Sequence, residues 1–218
     1  MAEPDERNPC TDRLRAILVE RLGWYGKGQC PVCGAQVIHT VLDSFNVTNS
    51  PVMCRNGHNA IGGDLGFRDK DPLGYRNLFQ DGIKLAAMIF GCRTSFSLGS
   101  AVVMAHTAVE GFLRAVVEHA RSERKTVSEE VERILKDEKK AELTRYIKAL
   151  DALGLAREEL LDSKIRWVSR LRNQFVHGVQ DCSEEDTVDA FERIADVFVQ
   201  LGTSGPLPEQ VPTEDLDV

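Results

Sequence analysis

The sequence predicts a mainly α-helical protein, a four- to five-helix bundle preceded by a small β module. Three observations predict it. From residue 73 to residue 202, apolar residues recur at three- and four-residue intervals, the period of helices with one buried face. Residues 24–66 are instead rich in Gly, Asn and Pro, with a short β-type run at 37–42. That same stretch carries two close pairs of Cys and His, which a small module can use in place of a core. The expected divisions are an N-terminal helix at 1–24, the β module at 25–68, the bundle at 69–202 and an acidic tail at 203–218.

The first helix is expected over 11–23, capped by Thr11 or Asp12, with Leu14, Ile17, Leu18 and Leu22 on one face. A turn at 69–73 leads to a helix over 75–92, interrupted near Gly82. A long helix over 97–121 has a broad apolar face that includes Val102, Val109, Phe112 and Leu113. Ser128 caps a helix over 129–153, with Val131, Ile134, Leu135, Leu143, Ile147 and Leu150 as its stripe. Another runs over 156–177 and stops at Gly178, a favoured residue just past a helix end. Ser183, followed by Glu184 and Asp186, starts the last helix to Leu201, because carboxylates suit a helix N-terminus. Pro206, Pro208, Pro212 and several acids make the tail an expected disordered segment.

The 218 residues suffice for one medium domain and a small module, and 42% hydrophobic with 28% charged residues is ordinary for a globular chain. The apolar runs at 85–90 and 101–105 fall far short of the roughly 20 residues of a membrane span. Residues 1–9 are acidic and polar, without the apolar stretch of a secretory signal. The expected compartment is therefore the cytoplasm, without membrane partners. A net charge of −7 disfavours nonspecific attraction to polyanions, so nucleic-acid contact would need a local basic patch.

Cys30 and Cys33 flank a Pro-Val spacer, with Gly34 behind them. Cys54 and His58 form a second pair around Gly57. Four N/S ligands on two turns suit a closed tetrahedral site, so a structural Zn2+ is the expected cofactor, with no open position for catalysis. His39, in the intervening strand, could replace His58. Cys10, Cys92 and Cys182 are scattered and read as ordinary thiols in a reducing compartment. Residues 28–63 resemble zinc-ribbon domains, which share this two-knuckle plan. Such a module would serve folding, dimerisation or substrate docking.

Residues 164–178 hold Lys164, Arg166, Arg170 and Arg172 and no acid, inside an acidic protein. Arg166, Arg170, Asn173 and His177 recur at spacings of four, three and four, so they share one helix face. Ile165, Val168, Leu171 and Phe175 form the opposite, buried stripe. Arg172 lies to one side, with an arm long enough to swing towards His177. Arg172-Asn173-x-x-x-His177-Gly178 resembles the Arg-Asn-x3-His signature of the HEPN superfamily of helical domains. The likeness extends over about 73–202 and includes the helix around Glu110, which resembles the HEPN helix that often carries a Glu facing the motif.

That resemblance implies a metal-independent endoribonuclease forming 2′,3′-cyclic phosphates. It also implies a homodimer acting on RNA, with an antitoxin or other defence-system partner. Catalytic roles would fall to Arg172, His177, Asn173 and Glu110, with Arg166 and Arg170 binding substrate. The chemistry suits these side chains. An imidazole can serve as base or acid near neutral pH, and a guanidinium bonds phosphoryl oxygens in pairs. One histidine cannot easily make both proton transfers, and a two-fold dimer would supply a second. The alternatives are a non-catalytic dimerisation and binding module or a nucleotide-binding regulatory subunit. In those, Arg172 could pair with Glu110, His177 could cap its helix, and the basic stripe could pair with acids. His106 and His119 read as structural, and Trp24 and Trp167 as core or interface anchors.

Overall fold

The computed structural model describes residues 8–30, 32–43, 54–58, 75–92, 94–123 and 128–202. The turn expected at 69–73 and the tail lie outside them. Among the described residues the protein is mainly helical, with seven α-helices and one two-stranded hairpin.

Helix α1, Pro9–Ala16, starts earlier than expected. The Asn8 side chain caps it, accepting from the Cys10 backbone N–H at 2.8 Å, in place of Thr11 or Asp12. Pro9 suits the first helical position, where a backbone N–H would have no partner. A π-helical turn, Ile17–Arg21, completes the segment and keeps Ile17 and Leu18 in the core. Strands β1, Gly26–Gln29, and β2, Gln36–His39, pair antiparallel, with Gly26 opposite His39 and Gln29 opposite Gln36. A 3-10 turn, Val41–Asp43, sends Leu42 into the main core.

Helix α2, Tyr75–Phe90, runs through Gly82 without the expected interruption. Gly82 serves close packing: a Cβ there would lie 3.1 Å from Phe191 and 3.2 Å from the Ala101 carbonyl. Helix α3, Leu98–Glu123, is the central element and buries eleven residues. Among the described residues it is the one helix long and apolar enough to cross a membrane, which the short runs at 85–90 and 101–105 do not suggest; 44% of its most apolar window is buried inside this fold.

The single helix expected over 129–153 is two, α4, Glu129–Leu135, and α5, Glu142–Ala152. The break falls on the charged run from Lys136 to Lys140, which has no apolar residue to bury. Asp137 accepts from the Lys139 backbone N–H there and pairs with Lys140 at 2.8 Å, bonds that favour a turn over a helix. Ser128 caps α4 as expected. Helix α6, Glu158–Val176, packs on α3, and α7, Glu184–Gly202, closes the bundle. The Ser183 hydroxyl accepts from the Asp186 N–H at 3.0 Å and donates to its carboxylate at 2.8 Å, as a capping residue should.

The core is strongly aromatic. Phe198 meets the rings of Trp24, Tyr75, Phe79 and Phe112 at centroid separations of 4.8 to 5.9 Å. Burial of three complete Phe side chains, Phe79, Phe112 and Phe191, contributes about 1.5–3 kcal/mol each. Outside this core, ion pairs tie α1 across α7. Arg13 reaches Glu185, Asp189 and Glu192, and Arg21 reaches Asp196. The acidic stripe of α7 is thus largely neutralised by the chain itself.

Candidate functional site

Two polar constellations stand out, one on the hairpin and one on α6. On the hairpin, the Cys30 N–H bonds the Ala35 carbonyl and the Gly34 N–H bonds the Cys30 carbonyl, both at 2.8 Å. These bonds turn the chain so that Cys30 and Cys33 face the same point. Around Cys54 the plan repeats, with its N–H on the His58 carbonyl and the Gly57 N–H on the Cys54 carbonyl, both at 2.9 Å. Gly34 and Gly57 take positive φ, as such tight turns require.

The ligand atoms of Cys30, Cys33, Cys54 and His58 all lie within 4.8 Å of one another and could bind a metal ion. Cys54 Sγ is 3.6 Å from both Cys33 Sγ and His58 Nδ1. A tetrahedral ion with bonds of about 2.0–2.3 Å separates its ligands by roughly 3.3–3.8 Å, a spacing that the Cys33–Cys54 and Cys54–His58 pairs already have. His39 is buried in β2 and stands outside this group, so His58 completes the cluster. Asn56 Nδ2 donates to Cys33 Sγ at 3.2 Å. The Cys33 thiol is pulled down to about 6, first by the backbone N–H of Ala35 and then by His58 and Asn56. It is therefore readily a thiolate, the form that binds metal.

On α6, Arg166, Arg170, Asn173 and His177 are all exposed, as their spacing predicts. Arg166 is held by Asp162 at 2.7 Å. Arg172 is half-buried, and its Nη1 donates to Asn173 Oδ1 at 2.8 Å. Its charge reaches two α3 side chains, His106 and Glu110. Glu110 is raised above the usual carboxylate range by burial first and by Glu142 second, with Arg172 opposing. Arg172 and Glu110 therefore interact through space, without the direct ion pair that the alternative readings allow. No salt bridge joins them among the described residues.

His106 is the residue that sequence reasoning set aside. Its Nε2 lies 3.0 Å from the Ser169 hydroxyl, across the α3–α6 seam. Burial, and then Arg172, push its pKa down to about 4, so the ring is neutral at pH 7. Its position four residues before Glu110 was visible in the sequence. Its partner was not, because pairing α3 with α6 is a tertiary fact.

His177 is the C-cap of α6, and its side chain is exposed. Beyond it, Gly178 takes φ +67°. Val179 N–H then reaches the Gln174 carbonyl and Gly178 N–H the Phe175 carbonyl, both at 2.9 Å. This double bond pattern is a Schellman cap and fixes the corner at which His177 is presented. The Phe175 ring seats against Gly99, and the Ser97 hydroxyl donates to Asp181 at 2.9 Å, so both ends of the corner are anchored to the start of α3. Phe96, Val176 and Val179 are large apolar side chains exposed at this end, at 66, 49 and 72%. Comparison of the chain with protein-family models, with curated proteins and with solved structures gives no match.

Proposed function

We propose that the chain is a homodimeric, metal-independent endoribonuclease of HEPN type, carrying a structural Zn2+ in a ribbon-like module. The observation that carries the reading is the end of α6. A half-buried guanidinium, Arg172, is oriented by Asn173, and an exposed imidazole, His177, stands at a rigidly capped corner one turn later. Arg172 would neutralise the crowded phosphate during attack by the 2′-hydroxyl. His177 would move the proton, and its counterpart on a second subunit would complete the acid–base pair. The exposed Phe96, Val176 and Val179 beside the corner favour such a self-association. Glu110 would tune Arg172 from α3. Three thiolates and one imidazole select a soft divalent ion, for which zinc is the ordinary choice. A cytoplasmic role in defence, with an antitoxin-like partner, rests on the family resemblance alone.

The test is cleavage of single-stranded RNA by purified protein in the presence of a magnesium chelator that leaves the zinc in place. Cyclic-phosphate ends are expected, and Arg172→Ala and His177→Ala should each lower the rate by at least about a hundredfold. Equal rates in wild type and both variants would leave the binding-module reading standing.

A further inference from the structure

We infer that the cleft between α6 and the turn leading into α7 holds one guanine base of a single-stranded RNA. The inference takes its substrate class from the nuclease reading and adds a sequence preference to it. The cleft measures about 190 Å3 and is lined by Trp167, Arg170, Gln174, Gln180, Asp181 and Asp186. It is smaller than the roughly 300–1,000 Å3 of sites for drug-sized ligands, and suits a single flat ring system.

Its polar groups are available. Among the described residues the side chains of Arg170, Gln174 and Gln180 make no hydrogen bond or ion pair. Asp186 uses Oδ2 to hold Ser183 and leaves Oδ1 unengaged. Asp181 accepts from Ser97, Gly99 and Cys182 through Oδ1 alone, which fixes its position and leaves Oδ2 unengaged. Two carboxylates beside one guanidinium disfavour a phosphate here, but they match a base edge that both donates and accepts. Guanine offers two N–H donors to a carboxylate, and its O6 and N7 accept from Arg or an amide. Adenine presents an amino group where guanine has O6, so it would set donor against donor at Arg170. Uracil offers one N–H in place of two.

The placement also fits catalysis. Gln174 precedes His177 by three residues, about 4.5 Å along the helix axis, so a base in the cleft would lie within about one helical turn of His177. Trp167, half-buried with the Arg193 guanidinium 4.6 Å over its ring, lines the cleft and is held in place by that contact. RNA bases splayed from a single strand are recognised in this way, by edge hydrogen bonds against a planar surface.

The experiment is calorimetric titration of the full chain with GMP, AMP and UMP, alongside cleavage of oligonucleotides that differ by one G or A. GMP should bind on the order of tenfold more tightly than the other two. Arg170→Ala should remove that preference without moving the thermal melting point, and Asp186→Asn should remove it with a small fall in melting point, because that carboxylate also holds Ser183. Should either variant fail to fold, Gln174→Ala, at an exposed position, replaces it. Equal binding of the three nucleotides, or a GMP preference that survives the variants, overturns the pocket. GMP-selective binding without RNA cleavage upholds the pocket and overturns the nuclease. Cleavage indifferent to G does the reverse.

Discussion

The hairpin and the helical body are ordered by different physics. The helical body buries complete Phe, Leu and Ile side chains around α3, and its order follows from removing apolar surface from water. Around the hairpin the described buried cluster is Cys30, Ala35, Val37 and Cys54, and two of these four belong to the candidate ligand set. Among the described residues this core is small, and an ion held by the ligand cluster would add to it. The two regions are joined by Leu42, sunk in the main core, and by an ion pair from Arg15 of α1 to Asp43. A chain can thus carry two stabilising devices side by side, each readable from its own residue types.

Removing the metal should separate the regions most sharply. Purified protein should contain about one zinc per chain. Cys54→Ser should abolish binding, forfeiting an ion whose affinity in small zinc modules is on the order of 10 kcal/mol. Amide exchange should accelerate in Gly26–His39 while the helical circular dichroism melt stays near its original midpoint. Collapse of the whole melt would show that the regions are one cooperative unit.

The converse probe is Phe112→Ala, which empties the aromatic centre of the body. It should cost about 3–5 kcal/mol in urea unfolding, with zinc content unchanged in the folded fraction. A third probe sits on the α3–α6 seam. The folded pKa of His106, about 4, lies below its ordinary 6.5, so the unfolded chain takes up the proton first. Its contribution is therefore present above pH 6.5 and lost as pH falls towards 4, on the order of 3 kcal/mol. Glu110, raised in the fold, works in the opposite sense, and Arg172 faces both residues. The clean readout is the difference in pH slope between wild type and His106→Asn, which should flatten. The smallest effect belongs to the α6 corner, where Gly178→Ala should cost roughly 1 kcal/mol because of its positive φ.

Much of this was legible in the residues. The ligand spacing named all four cluster members, since a Cys pair or Cys–His pair on a Gly turn has few other uses. Ser128, Ser183 and Gly178 marked their helix ends through local hydrogen bonding, which sequence encodes directly. Periodicity failed where helices continue or stop for tertiary reasons. Gly82 looked like a break because glycine is a poor helix former, yet the close approach of Phe191 requires it. The stripe over 129–153 looked continuous because Ile134, Leu135 and Leu143 keep helical phase across a charged turn. Thr11 and Asp12 looked like the cap because the apolar periodicity begins at Leu14, whereas Pro9 opens the helix a few residues earlier and Asn8 caps it. Of the α6 constellation, the shared face of Arg166, Arg170, Asn173 and His177 followed from spacing, whereas the His106–Ser169 contact needed the packing of α3 on α6.

The ionic clasp between the first and last helices has a temporal consequence. Arg13 and Glu185 are separated by 172 residues, so the clasp cannot close until α7 leaves the ribosome, and before that α1 has α2 to pack against. At synthesis rates of about 5–20 residues per second, that wait is roughly 10–30 s. Throughout it the side of α1 that meets α7 stays uncovered, while the Cys30, Cys33, Cys54 and His58 cluster, whose members lie within 28 residues of one another, would already be free to take an ion. Nascent chains are therefore expected to be metallated early and clasped last.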